Sequence, residues 1–318
     1  MGADHPPARF LRTARLVVLP EEIRPRESRA WLVGWQGTRG VLRRLPAPVA
    51  LAADLAEDVT WLHAFMTRLA GAGFPSPRPL PCFDGVSWIM AGGWLWEIVS
   101  FLPGHAVGWA PVPPMEEVGA LLARYHVAIR RIPVTSQRPA ALPLAEVPPV
   151  LLSHQFDAIP PERAALIRQL AAQLARDLDD TGHLARERMV IHGDFTNDNV
   201  IARGTPPAAS GVIDFAGAHL ETPLADIGYG LWRSGRPDER AGRLDLSRVR
   251  RFLRGYASVV RISPGEASII PLYVWGRGLQ MIAKRVRAGR NDTAMLAQVL
   301  WLTANAGEVA DALVAALP

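Results

Sequence analysis

Three oxygen-bearing side chains in the second half of the chain could together bind a metal–nucleotide complex. Asp194 and Asn199 lie in one polar stretch, residues 192–199, and Asp214 follows between two hydrophobic residues. In magnesium-dependent phosphoryl transfer, one carboxylate positions the attacking hydroxyl, while an amide oxygen and a second carboxylate hold Mg²⁺ on the phosphates. The residue types and their order therefore suit transfer of a phosphoryl group from a nucleotide to a hydroxyl.

Short apolar segments flank these side chains and predict the strands that position them. Residues 189–191 are typical of a buried strand, and residues 200–202 and 212–213 of two further strands separated by turn-forming residues. In a hairpin folded between the last two, Asn199 and Asp214 are equally far from the turn and meet at its open end. The alternative is that these residues only cap a loop and end a hairpin.

The pattern His-x-Asp-x-x-x-x-Asn, followed by Ile-Asp-Phe on the next strand, resembles the aminoglycoside phosphotransferase and choline kinase family, relatives of the protein kinases. The resemblance implies that Asp194 is the catalytic base and that Asn199 and Asp214 are Mg²⁺ ligands. It also implies that His192 braces the loop and that Asp226 has a bracing role.

The resemblance further implies an α+β, two-lobed protein-kinase-like fold, with a small antiparallel-sheet N-lobe and a larger, mainly helical C-lobe. We expect the nucleotide-binding lobe to span residues 1–100 and the catalytic and acceptor-binding lobe to span residues 101–318. The periodicity of apolar residues predicts the individual strands and helices. The predicted strands are 15–19, 30–33, 41–44, 88–90 and 94–99; the predicted helices lie near 51–69, 114–131, 167–178, 246–260, 269–286 and 293–316.

Kinases of this family place a phosphate-binding loop between the first two strands and a lysine on the third. The corresponding loop, residues 24–29, contains no glycine, and Ser28 is its candidate phosphate donor. Arg43 occupies the place of the lysine and can bind phosphate oxygens through two parallel donors, although an exposed strand-end arginine is the alternative. Asp58, on the flank of the first helix, is the predicted acidic partner of Arg43, and the sequence also allows that this pair is absent.

The run from Trp96 to Gly104 resembles the interlobe hinge of the same family. The resemblance implies that backbone groups from Glu97 through Val99 to Ser100 hold the adenine ring, with apolar side chains above and below it.

Composition narrows the class of protein. The hydrophobic content of 49% is that of a globular chain, and no apolar run is long enough to span a membrane. Cys82 is the only cysteine, which excludes a disulfide framework and indicates an inert thiol. We therefore expect a cytoplasmic protein.

Charge gives a weaker indication about partners. The net charge is +5, but the basic residues are spread along the chain without interleaved aromatics, which argues against a nucleic-acid-binding protein. From residue 227 onward basic residues outnumber acidic ones, and Lys284 is the only lysine of the chain. A pocket for a polycationic aminoglycoside should instead be acidic, so the balance favours a neutral, zwitterionic or anionic alcohol. Solvated helix faces would explain the same arginines.

The leading hypothesis is an ATP- or GTP-dependent, Mg²⁺-requiring kinase that phosphorylates a small-molecule alcohol. Homoserine, amino alcohols, sugars and hydroxylated antibiotics all remain open as acceptors, and the sequence does not indicate an oligomeric state. A nucleotide-binding regulator without turnover is the second hypothesis, since the strand lysine and the loop glycines are missing. A basic RNA-binding module is the third.

Overall fold

The computed structural model describes residues 11, 16–18, 29–46, 52–108, 114–133, 136–138, 141–157, 159–238, 242–290 and 294–318. The chain forms two compact units, Met1–Pro103 and Gly104–Pro318. None of the helices in these described ranges combines the length and apolar character needed to cross a membrane.

The described part of the first unit contains a five-stranded antiparallel sheet and the helix α1 (Ala52–Gly71). The strands lie in the order β1-β2-β3-β5-β4. Tight turns join β2 to β3 and β4 to β5, at Gln36–Gly37 and at Gly92–Gly93, where positive φ angles suit the twist of a hairpin. The strands are β1 (Val17–Val18), β2 (Arg29–Trp35), β3 (Thr38–Pro46), β4 (Trp88–Ala91) and β5 (Trp94–Ser100).

Alternation along the strands directs one set of side chains into the core of this unit. Leu42 on β3 and Ile98 on β5 are fully buried in one cluster, which Cys82 joins from the loop before β4. Burial raises the pKa of the Cys82 thiol to about 12, in agreement with the expectation of an inert cysteine.

The second unit is mainly helical. The predicted helices are confirmed, with three differences. The first is an additional helix, which the sequence did not predict, at Pro223–Ser234. The segment predicted as one helix over 293–316 is two helices meeting at Asn305, and the connection between residues 133 and 161 contains an additional helix. Its consecutive prolines, Pro148 and Pro149, lie in the first turn, where a missing N–H costs nothing. The helices are α2 (Met115–Ile129), α3 (Val147–Ser153), α4 (Pro161–Asp180), α5 (Pro223–Ser234), α6 (Leu246–Ala257), α7 (Pro264–Arg287), α8 (Leu296–Ala304) and α9 (Ala306–Val314).

Helices α2 and α6 cross with their backbones in contact. A Cβ atom at Gly119 would lie 2.0 Å from the carbonyl oxygen of Phe252, and one at Gly255 would lie 1.8 Å from that of Glu116. Only glycine permits this approach, and it fixes the two helices that carry His126 and Tyr256.

Two small antiparallel sheets complete the second unit and carry the polar stretch. Strands β6 (His105–Ala106), β8 (Val200–Arg203) and β9 (Ala208–Val212) form one sheet, and β7 (Met189–Ile191) and β10 (His219–Glu221) form the other. The polar stretch 192–199 therefore leaves one sheet and enters the other, which anchors it at both ends.

Candidate active site

The β8–β9 hairpin brings Asn199 and Asp214 to one end of the structure. Val200 pairs with Val212, and the amide of Ile213 donates to the carbonyl oxygen of Asn199 at 2.9 Å. The two residues therefore adjoin the same backbone hydrogen bond, at the open end of the hairpin as its pattern predicts.

The carboxylate of Asp194 is held by neighbours on both of its oxygens. Asn199 Nδ2 lies 3.2 Å from Oδ2 and also donates to the backbone carbonyl of Asp194 at 2.8 Å. A guanidinium nitrogen of Arg277 lies 3.1 Å from Oδ1. The Asp194 side chain nevertheless stays 46% exposed, so a reactant hydroxyl can reach an oriented carboxylate.

His192 connects this loop to the strand that precedes Asp214. Its Nδ1 accepts a hydrogen bond from the amide of Asp194 at 3.3 Å, and its Nε2 lies 3.1 Å from the carbonyl oxygen of Ile213. Because Nδ1 accepts, the proton of the neutral ring must be on Nε2, which then donates to Ile213. The ring is fully enclosed and packs against Phe195 and Phe215.

Asp226, at the start of α5, fixes the backbone just before Asp194. Its Oδ2 accepts from the amide of His192 at 2.8 Å, and its Oδ1 accepts from the amide of Gly193 at 2.9 Å. His126 Nε2 lies 3.1 Å from Oδ2, and its Nδ1 lies 2.7 Å from the hydroxyl of Tyr256. Burial alone would raise the pKa of Asp226, but the hydrogen bonds from His126 and from the His192 amide bring it below its ordinary value.

Two backbone conformations in this region are unusual. Gly193 has φ 71°, and a Cβ atom there would lie 2.1 Å from the carbonyl oxygen of Gly217. Asp214 adopts φ 61° and ψ 72°, a left-handed conformation that is uncommon for a residue other than glycine. Strain of this kind persists where the surroundings enforce it, often at functional sites.

The oxygen donors suit a hard divalent cation. Asn199 directs its amide nitrogen to Asp194, and its Oδ1 has no hydrogen-bond partner in the part of the chain that the structure describes. Among the same residues no group of three or more His, Cys, Asp or Glu could hold a metal. An amide oxygen and the Asp214 carboxylate, without a complete protein cage, fit Mg²⁺, which takes much of its coordination from phosphates and water.

In the first unit, Arg43 forms an ion pair with Glu97, 3.3 Å away on the neighbouring strand. Glu97 is 2% exposed and is also bound by His63 on α1, whose Nε2 lies 2.9 Å from Oε2. The other ring nitrogen of His63 lies 2.7 Å from the hydroxyl of Ser87. Sequence reasoning chose Asp58 as the acidic partner and missed this role of the Glu97 carboxylate. The β3–β5 register, which places Arg43 opposite Glu97, was the signal that could have revealed it.

The backbone assigned to adenine requires a correction. Both backbone groups of Ile98 are bonded within the unit, to Ser87 and Leu80, and the amide of Ser100 donates to the carbonyl of Arg78. Val99 pairs with Val41 in the β3–β5 ladder and forms a bridge to Pro79. The span from Glu97 through Val99 to Ser100 is therefore the interior of a strand, and the Ile98 groups and the Ser100 amide are not open to a nucleotide.

The next residue without such pairing is Leu102, which has no hydrogen bond to any other residue within the described ranges. Ser28, the candidate phosphate donor, lies outside the described residues. Asp58 is buried on α1, and its predicted role is not tested by its position.

Sequence reasoning also missed a group of cations near Asp194. Arg277 is 5% exposed on α7, with its guanidinium 4.8 Å from the ring centroid of Tyr229 and hydrogen-bonded to Gln280. Arg138 donates to the carbonyl oxygen of Ala216. Lys284 lies two turns beyond Arg277 on the same helix. The sequence showed only a general excess of basic residues, although the seven-residue spacing on a helix indicated a shared face.

Comparison with known proteins agrees with this geometry. Residues 22–259 match the model of the phosphotransferase enzyme family named APH. The homoserine kinase of Sinorhizobium fredii is 30% identical over 233 residues, which are 73% of this chain and 68% of that protein. The chain belongs to the phosphotransferase enzyme family.

Solved structures show the same fold at low identity. A microcompartment-associated aminopropanol kinase superposes with a TM-score of 0.64 at 17% identity, covering 93% of both chains. An amicoumacin kinase in complex with AMP-PNP and Ca²⁺ gives a TM-score of 0.63 at 16% identity, covering 96% of this chain and 94% of that one. These likenesses confirm the α+β, kinase-like fold.

Membership in this family confirms a small-molecule phosphotransferase that transfers a phosphoryl group to an alcohol. Neither comparison supports the alternative of a regulator without turnover.

Proposed function

We propose that this phosphotransferase moves the γ-phosphate of ATP to the hydroxyl of a small hydroxylated amino acid or related alcohol, with Asp194 as the catalytic base. The observation that carries the proposal is the carboxylate of Asp194, oriented through both oxygens and still open to reactants, beside Asn199 and Asp214. Homoserine is the first acceptor to test, because it is the acceptor named for the relative at 30% identity.

In this proposal Asp194 contributes mainly through position. Its free lone pairs accept the hydrogen bond of the acceptor hydroxyl, which orients the oxygen toward the phosphorus, and it takes the proton late in the transfer. Asn199 and Arg277 keep the carboxylate in one rotamer. His192 and Asp226 act through the backbone, because they fix the peptides on both sides of Gly193.

Asn199 and Asp214 would hold Mg²⁺, which supplies positive charge to the phosphate oxygens of the nucleotide. The strained backbone of Asp214 supports this role, because it gives a carboxylate at the end of a hairpin a fixed direction that an ordinary strand would not.

For the donor, we assign residues 1–100 to nucleotide binding and residues 101–318 to catalysis and acceptor binding. Arg43 would bind phosphate oxygens in place of the family's lysine, with Glu97 and His63 setting its direction. Ser28 and Asp58 remain candidates for supporting this region. The backbone of Leu102 is a better candidate for the adenine than the paired groups of Ile98 and Ser100. GTP is the alternative donor, and the cytoplasm is the proposed location.

The test is a nucleotide-consumption assay with ATP or GTP over homoserine, amino alcohols and sugars, with and without Mg²⁺. Asp194→Asn keeps the shape of the side chain and removes the base, so we expect kcat to fall 10²- to 10⁴-fold. Asp198→Asn is the matched control: Asp198 lies in the same loop but pairs with Arg233 at 2.9 Å, and its loss should change kcat only slightly.

Full activity of Asp194→Asn would refute the assigned role of this residue. Thermal stabilisation by ATP and Mg²⁺ without turnover of any acceptor would instead favour the regulator.

A further inference from the structure

Three basic side chains, Arg277, Lys284 and Arg138, form a group near Asp194. Arg277 contacts the carboxylate of Asp194 directly at 3.1 Å. Lys284 lies two turns beyond Arg277 on the same face of α7. The charges of Arg277, Asp194 and Arg138 act on its ammonium. Among the described residues whose charges act on Lys284, Asp194 is the one carboxylate beside two arginines, so this cluster carries more positive than negative charge.

The scaffold of this cluster is specific. Arg277 and Lys284 share one face of α7 with Gln280 between them, because residues spaced by three, four and seven positions stack on a helix. Gln280 Nε2 donates to the carbonyl oxygen of Leu142 at 2.7 Å, which fixes the segment that follows Arg138 against the same face. Arg138 in turn donates to Ala216, two residues after Asp214. Two separate segments therefore bring their cations to one place.

The three cations differ in how many hydrogen bonds and ion pairs they form with the protein. Arg277 is bound to Asp194 and to Gln280, and Arg138 is bound to Ala216. Lys284 makes no hydrogen bond and no ion pair with any residue in the described part of the chain. A partly buried ammonium without a partner is costly, so a site of this kind is suited to an anion.

The nearby imidazole of His219 does not add to the positive charge of this cluster. His219 Nδ1 lies 2.7 Å from the carbonyl oxygen of Gly217, and its Nε2 is buried with no hydrogen-bond partner among the described residues. Burial lowers the pKa of His219 to about 4, and the charges of Lys284 and Arg277 act in the same direction. His219 is therefore neutral near pH 7.

We propose that Lys284, together with Arg138 and Arg277, binds a carboxylate group of the acceptor and so selects small hydroxy acids over cationic alcohols. This inference rests on the proposed function, since it places the acceptor hydroxyl on Asp194. A hydroxyl at the base and a carboxylate at Lys284 describe a short molecule with the two groups a few bonds apart. A zwitterionic hydroxyamino acid meets this description, and a polycationic aminoglycoside does not.

The first experiment uses the fact that Lys284 is the only lysine of the chain. An amine with a pKa of about 7, lowered by burial and by Arg277, reacts with acetic anhydride at pH 7.5 far faster than an ordinary lysine. Acetylation of the Lys284 peptide is followed by mass spectrometry in the full-length protein, with the chain's α-amino group as internal reference. The probes are 4-hydroxybutanoate and its uncharged isostere 4-hydroxybutanamide, with and without AMP-PNP and Mg²⁺.

We expect 4-hydroxybutanoate to slow acetylation of Lys284 at least fivefold, while the amide leaves the rate unchanged and neither probe affects the α-amino group. Equal protection by the amide would overturn the inference, because the charge would then play no part. Protection by AMP-PNP alone, without any effect of the hydroxy acid, would also overturn it and assign the cations to the phosphates of the donor.

The second experiment compares Lys284→Met with Arg287→Met, a control on the same helix whose side chain is 51% exposed. For homoserine we expect Lys284→Met to raise KM at least tenfold with KM for ATP unchanged, and Arg287→Met to alter neither. A rise confined to KM for ATP, or no change, would refute the inference.

The two proposals fail in different ways. Turnover of homoserine that is insensitive to Lys284→Met would leave the phosphotransferase function standing and remove the carboxylate site. Protection of Lys284 by the hydroxy acid without turnover of any alcohol would support the carboxylate site and refute the phosphotransferase function.

Discussion

His126 and Asp226 form a fully buried pair, with Nε2 of the imidazole 3.1 Å from Oδ2 of the carboxylate. The pair links α2 to the start of α5, and the same carboxylate carries the amides of His192 and Gly193. The position of the peptide before Asp194 therefore depends on the packing of two helices.

Replacing Asp226 by asparagine should lower the stability of the protein and also reduce its kcat. The amide would direct an N–H group at a backbone N–H, and leaving a buried polar group unsatisfied costs about 1–3 kcal/mol. We expect a urea midpoint well below that of the wild type and a kcat reduced at least tenfold in the remaining folded enzyme. Asp180→Asn, on the exposed end of α4, is the control and should leave both values unchanged.

Acid should lower the stability of the wild-type protein through protonation of the Asp226 carboxylate. The folded pKa of Asp226 lies below the ordinary value of 3.8, so its stabilising contribution is present above that value and is lost as the pH falls through the folded pKa. Urea unfolding between pH 3 and 6 measures this. The stability difference between the wild type and Asp226→Asn should shrink below about pH 3.8, and a difference that stays constant would contradict the role given to the carboxylate.

Gly193→Ala tests the close approach of the catalytic loop to the turn that follows Asp214. The added methyl group would lie 2.1 Å from the Gly217 carbonyl and would require a left-handed conformation. We expect a loss of stability of about 1–3 kcal/mol and a fall in kcat with little change in KM. Gly307→Ala on α9, where the new Cβ meets nothing within 4 Å, should be neutral or slightly stabilising. Wild-type activity in Gly193→Ala would show that the loop tolerates displacement.

Glu97→Gln tests the network behind Arg43. The substitution removes the charge that holds Arg43 at 3.3 Å and the acceptor for His63, so the guanidinium should lose its direction. We expect KM for ATP to rise about tenfold, equivalent to about 1.4 kcal/mol, with a smaller change in KM for the acceptor. Glu57→Gln, exposed on α1, is the control. An unchanged KM for ATP would separate Arg43 from nucleotide binding.

Lys284 should make stability rise with pH. Its folded pKa of about 7 lies below the ordinary value of 10.5, so between these values the unfolded chain binds more protons than the folded one. The free energy of unfolding of the wild type, relative to Lys284→Met, should therefore increase from pH 7 to pH 10. Arg287→Met should show no such trend. A flat difference for Lys284→Met would indicate an ammonium that remains well solvated.

Short-range sequence patterns predicted much of the fold and the position of the polar stretch 192–199. Apolar periodicity predicted α1 and α2, and two strands with a turn between them brought Asn199 and Asp214 together. These features depend on neighbours in the sequence, which is why a single chain reveals them. Helix α3 was missed because Pro148 and Pro149 are usually helix breakers and are compatible with a helix only in its first turn.

The contacts that the sequence did not reveal join distant segments. The ion pair between Arg43 and Glu97 was not predicted because strand register decides which side chains face each other across a sheet. The contact of His126 with Asp226 joins α2 to the start of α5, two segments that are far apart in the sequence. Arg277 and Lys284 could be identified as neighbours on a helix, but their approach to Asp194 depends on the packing of α7.

The buried thiol of Cys82 has a practical consequence. Cys82 is the only cysteine of the chain. Because it is buried and has a pKa of about 12, maleimide reagents should not react with the native protein. A cysteine introduced at any exposed position would then be the sole labelled site, and two introduced cysteines would carry a matched pair of spin labels. Distances in solution between chosen points of the two units can therefore be measured without first removing a native residue.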